Sequence, residues 1–321
     1  MESLGYAIIF AIGIVLPNLL LMLLGFVLRR KEAITEHFVD IASKLVFNYC
    51  LPCLLFFSVL KSDVNYAEQI PLLSAGFVTT FILYLGAELY AFLCIKHIAD
   101  KGVFVQGVFR SNMAILALAM VSNAYGTEGL GIGAVYMGVI TILYNVLSVI
   151  TLSRTQSSTT TFIEKVWDIF KKILTNPLII ALVGAFVYKA LHLPMLPLPL
   201  QKTGELMAAV ALPLALICAG ASLDFKTMFG LSGLSMQASL ARIIIAPIVA
   251  VLVGWAFALP ALHLGILFLM VSAPTAAASY VMAKSMGGNA TLAANILGFT
   301  TVFSLFGIAI GTVVLRSLGW M

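Results

Sequence analysis

Residues 271–279 read VSAPTAAAS and place Pro274 in the middle of a long apolar run. Proline has no amide hydrogen and its ring crowds the carbonyl four residues earlier, which costs a helix interior about 3 kcal/mol. Lipid cannot satisfy the carbonyls that such a break frees, so within a membrane the break must face protein or water. The half-helix that follows would present the amides of Thr275, Ala276 and Ala277 at the positive end of its dipole. The stretch therefore predicts an interrupted transmembrane helix with a site for an anion, and a simple proline kink is the alternative.

The composition of the whole chain is typical of a membrane protein. Hydrophobic residues make up 62% of the 321 positions and charged residues 10%, and the mean hydropathy is +1.10. A soluble domain carries about 25% charged residues, so this chain has too little charge to cover a surface in water. A bilayer core about 30 Å thick requires about 20 apolar residues per helix, and runs of that length recur along the sequence.

Apolar runs between charged or Pro- and Gly-rich breaks predict an all-α integral membrane fold of ten transmembrane helices. The predicted spans are 6–28, 43–60, 70–94, 103–124, 128–152, 173–191, 201–222, 235–258, 262–285 and 289–315. If the N-terminus lies outside, eleven Lys and Arg fall in cytoplasmic loops and four on the opposite side. This bias predicts a multi-pass protein of the bacterial inner membrane with both termini on the periplasmic or extracellular face.

The two halves of the chain are related by an internal repeat. An offset of 161 residues aligns Pro52 with Pro213, Asp63 with Asp224, and Gly126 with Gly287. The predicted division is a first five-helix repeat (1–152), a cytoplasmic interfacial linker (153–172) and a second five-helix repeat (173–321). Because five is odd, the second repeat enters the membrane with opposite polarity, as in many secondary transporters with a midplane substrate site.

The predicted fourth helix (103–124) carries the counterpart of the break at Pro274, which lies in the predicted ninth helix (262–285). The same offset aligns Pro274 with Met113, which directly follows the polar segment Arg110-Ser111-Asn112. An arginine at the bilayer centre costs about 2.5–3.5 kcal/mol, so we expect Arg110 to face a cavity, a partner or an interface. Asn112 could cap an unwound helix or bind a carboxylate, whereas helix–helix hydrogen bonding is an equal alternative for Arg110.

Three segments resemble the auxin efflux carrier family, which includes bacterial malonate- and malate-type permeases and plant auxin exporters. They are KLVFNYCLP (44–52), RSN (110–112) and APT (273–275), and the resemblance covers essentially the whole chain. It implies that broken helices 4 and 9 cross at the centre, that helices 1, 2, 6 and 7 form a scaffold, and that helices 3–5 and 8–10 move as a transport domain. It also implies mono- or dicarboxylate substrates, elevator-like alternation and a homodimer through the scaffold helices. Family members often carry Gly and Pro after the helix-four Asn, whereas residues 113–119 here read MAILALA.

Other polar residues in the predicted helices are candidates for substrate contact or ion coupling. Asn48 lies four residues before Pro52, where it could contact substrate or cap the disrupted turn. Glu88 could carry a coupling proton, with an interfacial position as the main alternative. Asn145, Asn295 and Thr300 could offer oxygen ligands to Na⁺, although interhelical hydrogen bonding is their default role. Coupling to H⁺ or to Na⁺ therefore stays open.

These patterns favour a secondary transporter that moves small organic anions by elevator-type alternating access. The predicted substrate-binding residues are Asn112, Pro274, Thr275, Ala276, Ser111, Arg110 and Asn48, and the predicted helix breaks are Pro52, Pro213, Met113 and Pro274. No catalytic constellation, metal-ligand spacing or cofactor motif occurs, and the positive charge is spread among short loops. We therefore expect a lipid-embedded protein that is not an enzyme and has no metal, no cofactor and no nucleic-acid partner.

The sequence leaves three alternative functions open. The first is a carrier similar to the bile-acid/sodium symporters, which share this type of architecture. The second and weaker one is a membrane thiol oxidoreductase, because Cys50-Leu51-Pro52-Cys53 has the C-x-x-C spacing of thiol–disulfide exchange. The third is a transporter-like sensor that binds a ligand without accumulating it.

Overall fold

The computed structural model describes residues 4–61, 66–155, 167, 171, 174–194, 196–223 and 233–321. The regular structure in these ranges is helical, which confirms the all-α fold class. Seven helices there are long and apolar enough to cross a membrane: Leu4–Arg30, Glu36–Lys61, Ile70–Cys94, Met113–Leu152, Leu198–Ala221, Gly233–Ala256 and Ala290–Ser317. Large apolar side chains on their outer faces are exposed, such as Phe92 and Trp255, which fits a surface that contacts lipid.

In the first half of the chain, the described residues form six α-helices and two π-helical turns. The α-helices are α1 (Leu4–Arg30), α2 (Glu36–Leu45), α3 (Leu51–Lys61), α4 (Ile70–Cys94), α5 (Ile98–Phe109) and α6 (Leu118–Leu152). A π-turn at Val46–Cys50 joins α2 to α3, and another at Met113–Ala117 leads into α6. Short 3₁₀ turns lie between α3 and α4 at Tyr66–Gln69 and directly after α6 at Ser153–Thr155.

The second half, within its described ranges, contains seven α-helices and one π-helical turn. They are α7 (Pro177–Ala190), α8 (Leu198–Ala221), α9 (Gly233–Leu240), α10 (Ala246–Ala256), α11 (Ala261–Ser272), α12 (Ala277–Ser285) and α13 (Ala290–Ser317). The π-turn at Ala241–Ile245 joins α9 to α10. Asparagine side chains cap two of these helices, because Asn176 accepts from the Leu178 amide and Asn289 from the Leu292 amide.

Two of the predicted helix breaks are wrong. The chain stays helical from Glu36 to Lys61, since the π-turn directly before Leu51-Pro52 widens the backbone where the proline amide is missing. Helix α8 continues through Pro213, whose side chain is exposed, because a membrane helix tolerates the loss of a single backbone bond.

Of the residue pairs that the offset of 161 aligns, the structure describes Gly126 with Gly287 but not Asp63 with Asp224. Gly126 divides α6 with φ 61° and ψ −146°, and its aligned partner Gly287 between α12 and α13 has φ 78°. Both are left-handed conformations that favour glycine. Asp63 and Asp224 lie outside the described residues, as does most of the predicted linker 153–172.

Helix α8 packs against α1 and α3, α3 packs against α7, and a pair of glycines lies where α1 meets α8. A Cβ atom added at Gly25 of α1 would lie 2.0 Å from the Ile217 carbonyl oxygen of α8. A Cβ atom added at Gly220 of α8 would lie 1.9 Å from the Met22 carbonyl oxygen of α1. Small residues at both positions let the two backbones touch, which is a common device for packing helices in lipid.

Gly25→Val is expected to separate α1 from α8, because the new side chain would collide with the Ile217 carbonyl. Overpacking of this kind typically costs about 1–3 kcal/mol, so the thermal unfolding midpoint in detergent should fall by about 3 °C or more. Gly13→Val is the matched control on the same helix, since a Cβ atom there meets nothing within 4 Å. Equal midpoints for the two variants would contradict this packing.

Candidate substrate site at the crossing of two interrupted helices

Two interruptions of the helical backbone cross in the protein interior. Residues 110–112 separate α5 from the π-turn at Met113–Ala117, and residues 273–276 separate α11 from α12. Ser111 and Thr275 face each other in an isolated antiparallel β-bridge. The chain is thus interrupted both at the predicted Pro274 and directly before the predicted Met113.

The interruptions satisfy each other's backbone groups. The Asn112 amide donates to the Pro274 carbonyl at 2.7 Å, and the Ala276 amide donates to the Arg110 carbonyl at 3.1 Å. Such pairing matters because hydrocarbon offers no alternative partner to an open backbone. It also explains how the first interruption forms without a proline, since the extended segment around Pro274 supplies its partners.

Two buried hydroxyls connect each interruption to the end of the helix that precedes the other interruption. Ser111 donates from its Oγ to the Met270 carbonyl near the end of α11 at 2.8 Å. Thr275 donates from its Oγ1 to the Gly107 carbonyl near the end of α5 at 2.9 Å. These bonds are reciprocal, so each half of the crossing stabilises carbonyls that the other half left open.

The buried guanidinium of Arg242 is central to the crossing and was missed by the sequence analysis. It lies in the π-turn at Ala241–Ile245 and its side chain is fully buried. It donates to the carbonyl of Ala273 at 2.9 Å, of Val108 at 3.0 Å and of Phe109 at 3.2 Å. It also donates to the carbonyl of Val271. The signal was available, because an arginine inside the apolar run 235–258 carries the same membrane penalty that singled out Arg110.

Arg110 is the second buried guanidinium of the site, with 6% of its surface exposed. It donates to Ser148 Oγ at 3.0 Å, to Asn145 Oδ1 at 2.9 Å and to the Met282 sulfur at 2.8 Å. Ser148 and Asn145 lie on α6, so the predicted coupling residue Asn145 belongs to the arginine's hydrogen-bond shell. Met282 lies on α12, which places Arg110 between the two halves of the chain.

Neither guanidinium at the crossing has a carboxylate partner among the described residues. The carboxylates of Glu36, Glu205 and Glu88 pair with other cations, namely Arg29, Lys61 and Arg154. Burying an uncompensated charge is unfavourable, and the penalty is reduced when an opposite charge approaches. The charge of Arg110 therefore has no balancing carboxylate in the described part of the chain, and only neutral groups bond to it.

The amides predicted to bind the anion are only partly available. The Thr275 amide donates to Thr300 Oγ1 at 3.2 Å, and the Ala276 amide is taken by Arg110. Helix α12 begins at Ala277, so the amides without an intrahelical acceptor are those of Ala277 and Ala278, whose residues are exposed. The prediction of free amides is therefore wrong for Thr275 and Ala276, because Pro274 starts an extended segment rather than the next helix. Their place among the substrate-binding residues stays a prediction.

The remaining candidates differ in their distance from the crossing. Thr300 is fully buried and contacts it through Thr275, and Asn295 is buried on the same helix, α13. Glu88 pairs with Arg154 at 2.6 Å, at the ends of α4 and α6. Asn48 is exposed within the π-turn at Val46–Cys50 and makes no hydrogen bond to the crossing within the described ranges. Asn112 itself is partly exposed, which makes it the accessible side chain of its interruption.

Comparison with known proteins gives matches along nearly the whole chain. A model of the family described as membrane transport protein matches residues 10–311. The uncharacterized transporter YfdV of Escherichia coli (strain K12) is 26% identical over 308 residues, which cover 92% of this chain and 96% of that protein. An uncharacterized transporter of Methanothermobacter thermautotrophicus is 25% identical over 311 residues, which cover 94% of this chain and 97% of that protein. The matched region includes both interruptions of the crossing.

Thr275→Val is expected to destabilise the crossing, because it removes a hydroxyl without changing side-chain size and leaves the buried Gly107 carbonyl unpaired. A lost buried hydrogen bond typically costs about 1–3 kcal/mol, so the thermal unfolding midpoint should fall by about 3 °C or more. Thr203→Val is the matched control, since its exposed hydroxyl bonds the Pro199 carbonyl at 2.8 Å on the surface of α8. A larger shift in the control than in Thr275→Val would count against the role of the bridge.

Proposed function

This chain belongs to the membrane transport protein family, which confirms the resemblance to the auxin efflux carriers, and we propose that it is a secondary carrier of small organic anions. It is a multi-pass membrane transporter and not an enzyme. The proposed substrates are mono- or dicarboxylates or auxin-like acids. The observation that carries this proposal is the buried guanidinium of Arg110 beside the crossing, with no carboxylate partner in the described residues.

The proposed anion site lies where accessible donors meet this positive charge. Asn112 is partly exposed, and its neighbours Ser111 and Arg110 pair with the segment that leads into α12. The first amides of α12, at Ala277 and Ala278, lie at the positive end of the helix dipole. A carboxylate that accepts hydrogen bonds from the Asn112 amide group and from these amides would offset part of the charge of Arg110.

We propose that ten membrane spans form two inverted repeats. In each half the fourth span is interrupted: α5 continues into residues 113–125, and α11 continues into α12. Glycines with positive φ, Gly126 and Gly287, then lead into the fifth span of each half. Five spans per half give opposite polarity, and the proposed units are the repeats 1–152 and 173–321 with the linker 153–172 between them.

Helix packing supports an elevator-type movement. Helices α1, α3, α7 and α8 pack together as part of the proposed scaffold. The proposed moving unit consists of α4, α5, α6, α9, α10, α11, α12 and α13, and it contacts the scaffold where α13 meets α1 and α6 meets α3. The charge bias of the loops supports an inner-membrane protein with both termini outside. A homodimer through the scaffold helices is part of the same proposal, by resemblance to the family.

Counterflow in liposomes tests the carrier and its site together. We expect saturable exchange of at least one labelled acid among malonate, malate, succinate, lactate and indole-acetate. Asn112→Ala should raise the half-saturating concentration about 10-fold or more, because hydrogen bonds to a charged group are worth about 1.5–3 kcal/mol. Asn123→Ala is the matched control, since Asn123 lies on the same interrupted helix but donates to the Ile14 carbonyl of α1 at 3.2 Å.

The outcomes of this counterflow assay separate the site from the function. Exchange that Asn112→Ala leaves unchanged would keep the carrier and move the anion site elsewhere. Absence of exchange for every acid, in vesicles shown to be sealed and loaded, would contradict the organic-anion proposal.

Replacing Cys50 and Cys53 together by serine distinguishes the carrier from a thiol oxidoreductase. Both are free thiols in the helical segment Glu36–Lys61, and Cys50 is buried there. Because thiol exchange needs access to a partner, we expect the double variant to retain counterflow within about two-fold of the wild type. Abolished exchange in a variant with an unchanged unfolding midpoint would instead favour a redox role.

A further inference from the structure

Arg242 joins the same ends of the two interrupted helices. Its four acceptors are the carbonyls of Val108 and Phe109 at the end of α5, and of Val271 and Ala273 at the end of α11. The guanidinium thus occupies a cage of main-chain oxygens that both halves of the chain contribute. It reaches this cage from a third element, the π-turn at Ala241–Ile245, which is followed by Pro247 in α10.

The cage is electrostatically suited to a cation. The C-terminal end of a helix carries about half a negative charge, so two such ends together carry about one. Unwound carbonyls and half-helix C-terminal ends are where secondary transporters commonly coordinate Na⁺ or H⁺. At this crossing the carbonyls already accept hydrogen bonds from the guanidinium of Arg242, which stays protonated. The single charge of the guanidinium matches the combined charge of the two helix ends.

We propose that Arg242 is a built-in cation of the crossing, which holds the C-terminal ends of α5 and α11 together where a coupling cation would otherwise bind, so that anion exchange does not require Na⁺. This inference rests on the proposed carrier function and specifies its ion dependence.

The two buried arginines then have different roles. The charge of Arg242 is balanced by helix ends, and its donors are directed at carbonyls of the protein. Arg110 instead bonds the neutral side chains of Ser148, Asn145 and Met282, so its charge remains unbalanced. Arg242 is therefore a positioning residue that fixes the shape of the site, and the unbalanced charge of Arg110 acts on the substrate anion.

The first test measures counterflow of the exchanged acid by wild-type protein in vesicles that contain Na⁺ or choline on both sides. We expect initial rates within about two-fold of each other, since the carbonyl cage is occupied by Arg242. Exchange in Na⁺ but not in choline would overturn the inference while leaving the carrier function intact.

The second test removes the fixed cation. Arg242→Ala should reduce exchange in choline about 10-fold or more, because four carbonyls lose their donors. Low concentrations of guanidinium, below those that denature the wild type, or of Na⁺ should restore part of the lost rate by filling the vacated cage. Arg316→Ala is the control, since this arginine donates to the Met321 carbonyl away from the crossing, and its rate should not respond to added guanidinium.

Thermal unfolding in detergent gives a readout that does not depend on transport. The midpoint of Arg242→Ala should rise with guanidinium or Na⁺ relative to choline, and the wild-type midpoint should not. If Arg242→Ala does not fold, Arg242→Lys serves instead. It keeps a fixed cation at the cage, so its midpoint should not rise with Na⁺ relative to choline, and a rise would overturn the inference. Full exchange by Arg242→Ala in choline, or equal ion responses of variant and wild type, would overturn the inference. If no acid is exchanged in any medium, the carrier proposal fails and the midpoints alone decide the role of Arg242.

Discussion

The structure depends on the satisfaction of main-chain groups at two interrupted helices in the protein interior. A single interruption in lipid would leave several carbonyls and amides without partners. Here two interruptions lie against each other, so Asn112 pairs with Pro274 and Arg110 with Ala276 through their backbones. The hydroxyls of Ser111 and Thr275 then satisfy carbonyls at the opposite helix ends. Each interruption is stable because the other is present, which explains why both halves of the chain contribute to one centre.

The same geometry determines the electrostatics of the site. Interrupted helices bring their C-terminal ends to one side, where Arg242 neutralises them, and expose the first amides of α12 at Ala277 and Ala278. Arg110 adds a charge that neutral side chains solvate but do not balance. An environment with this arrangement holds a mobile anion more favourably than a mobile cation. In the proposed carrier, selection of an anionic substrate would follow from this arrangement of the backbone.

Local sequence signals predicted part of this arrangement. The interruption at Pro274 was predictable because proline acts on its own backbone, and the one before Met113 because the repeat offset maps it there. The same local logic failed at Pro213, where the helix continues, since whether a proline breaks a helix depends on what surrounds it. The free amides were placed two residues too early, because the pairing of Thr275 and Ala276 involves distant Thr300 and Arg110. Arg242 was missed for a related reason: its four acceptors lie about 30 and about 130 residues from it along the chain.

The most direct test of the central claim is an equilibrium binding measurement on purified protein with the acid that is exchanged in counterflow. Wild type, Arg110→Lys and Arg110→Gln would be compared, each with its unfolding midpoint checked beforehand. The account predicts a dissociation constant about 10-fold or more higher for Arg110→Gln and an intermediate one for Arg110→Lys, because the unbalanced buried charge attracts the anion. Equal dissociation constants for wild type and a folded Arg110→Gln variant would contradict it.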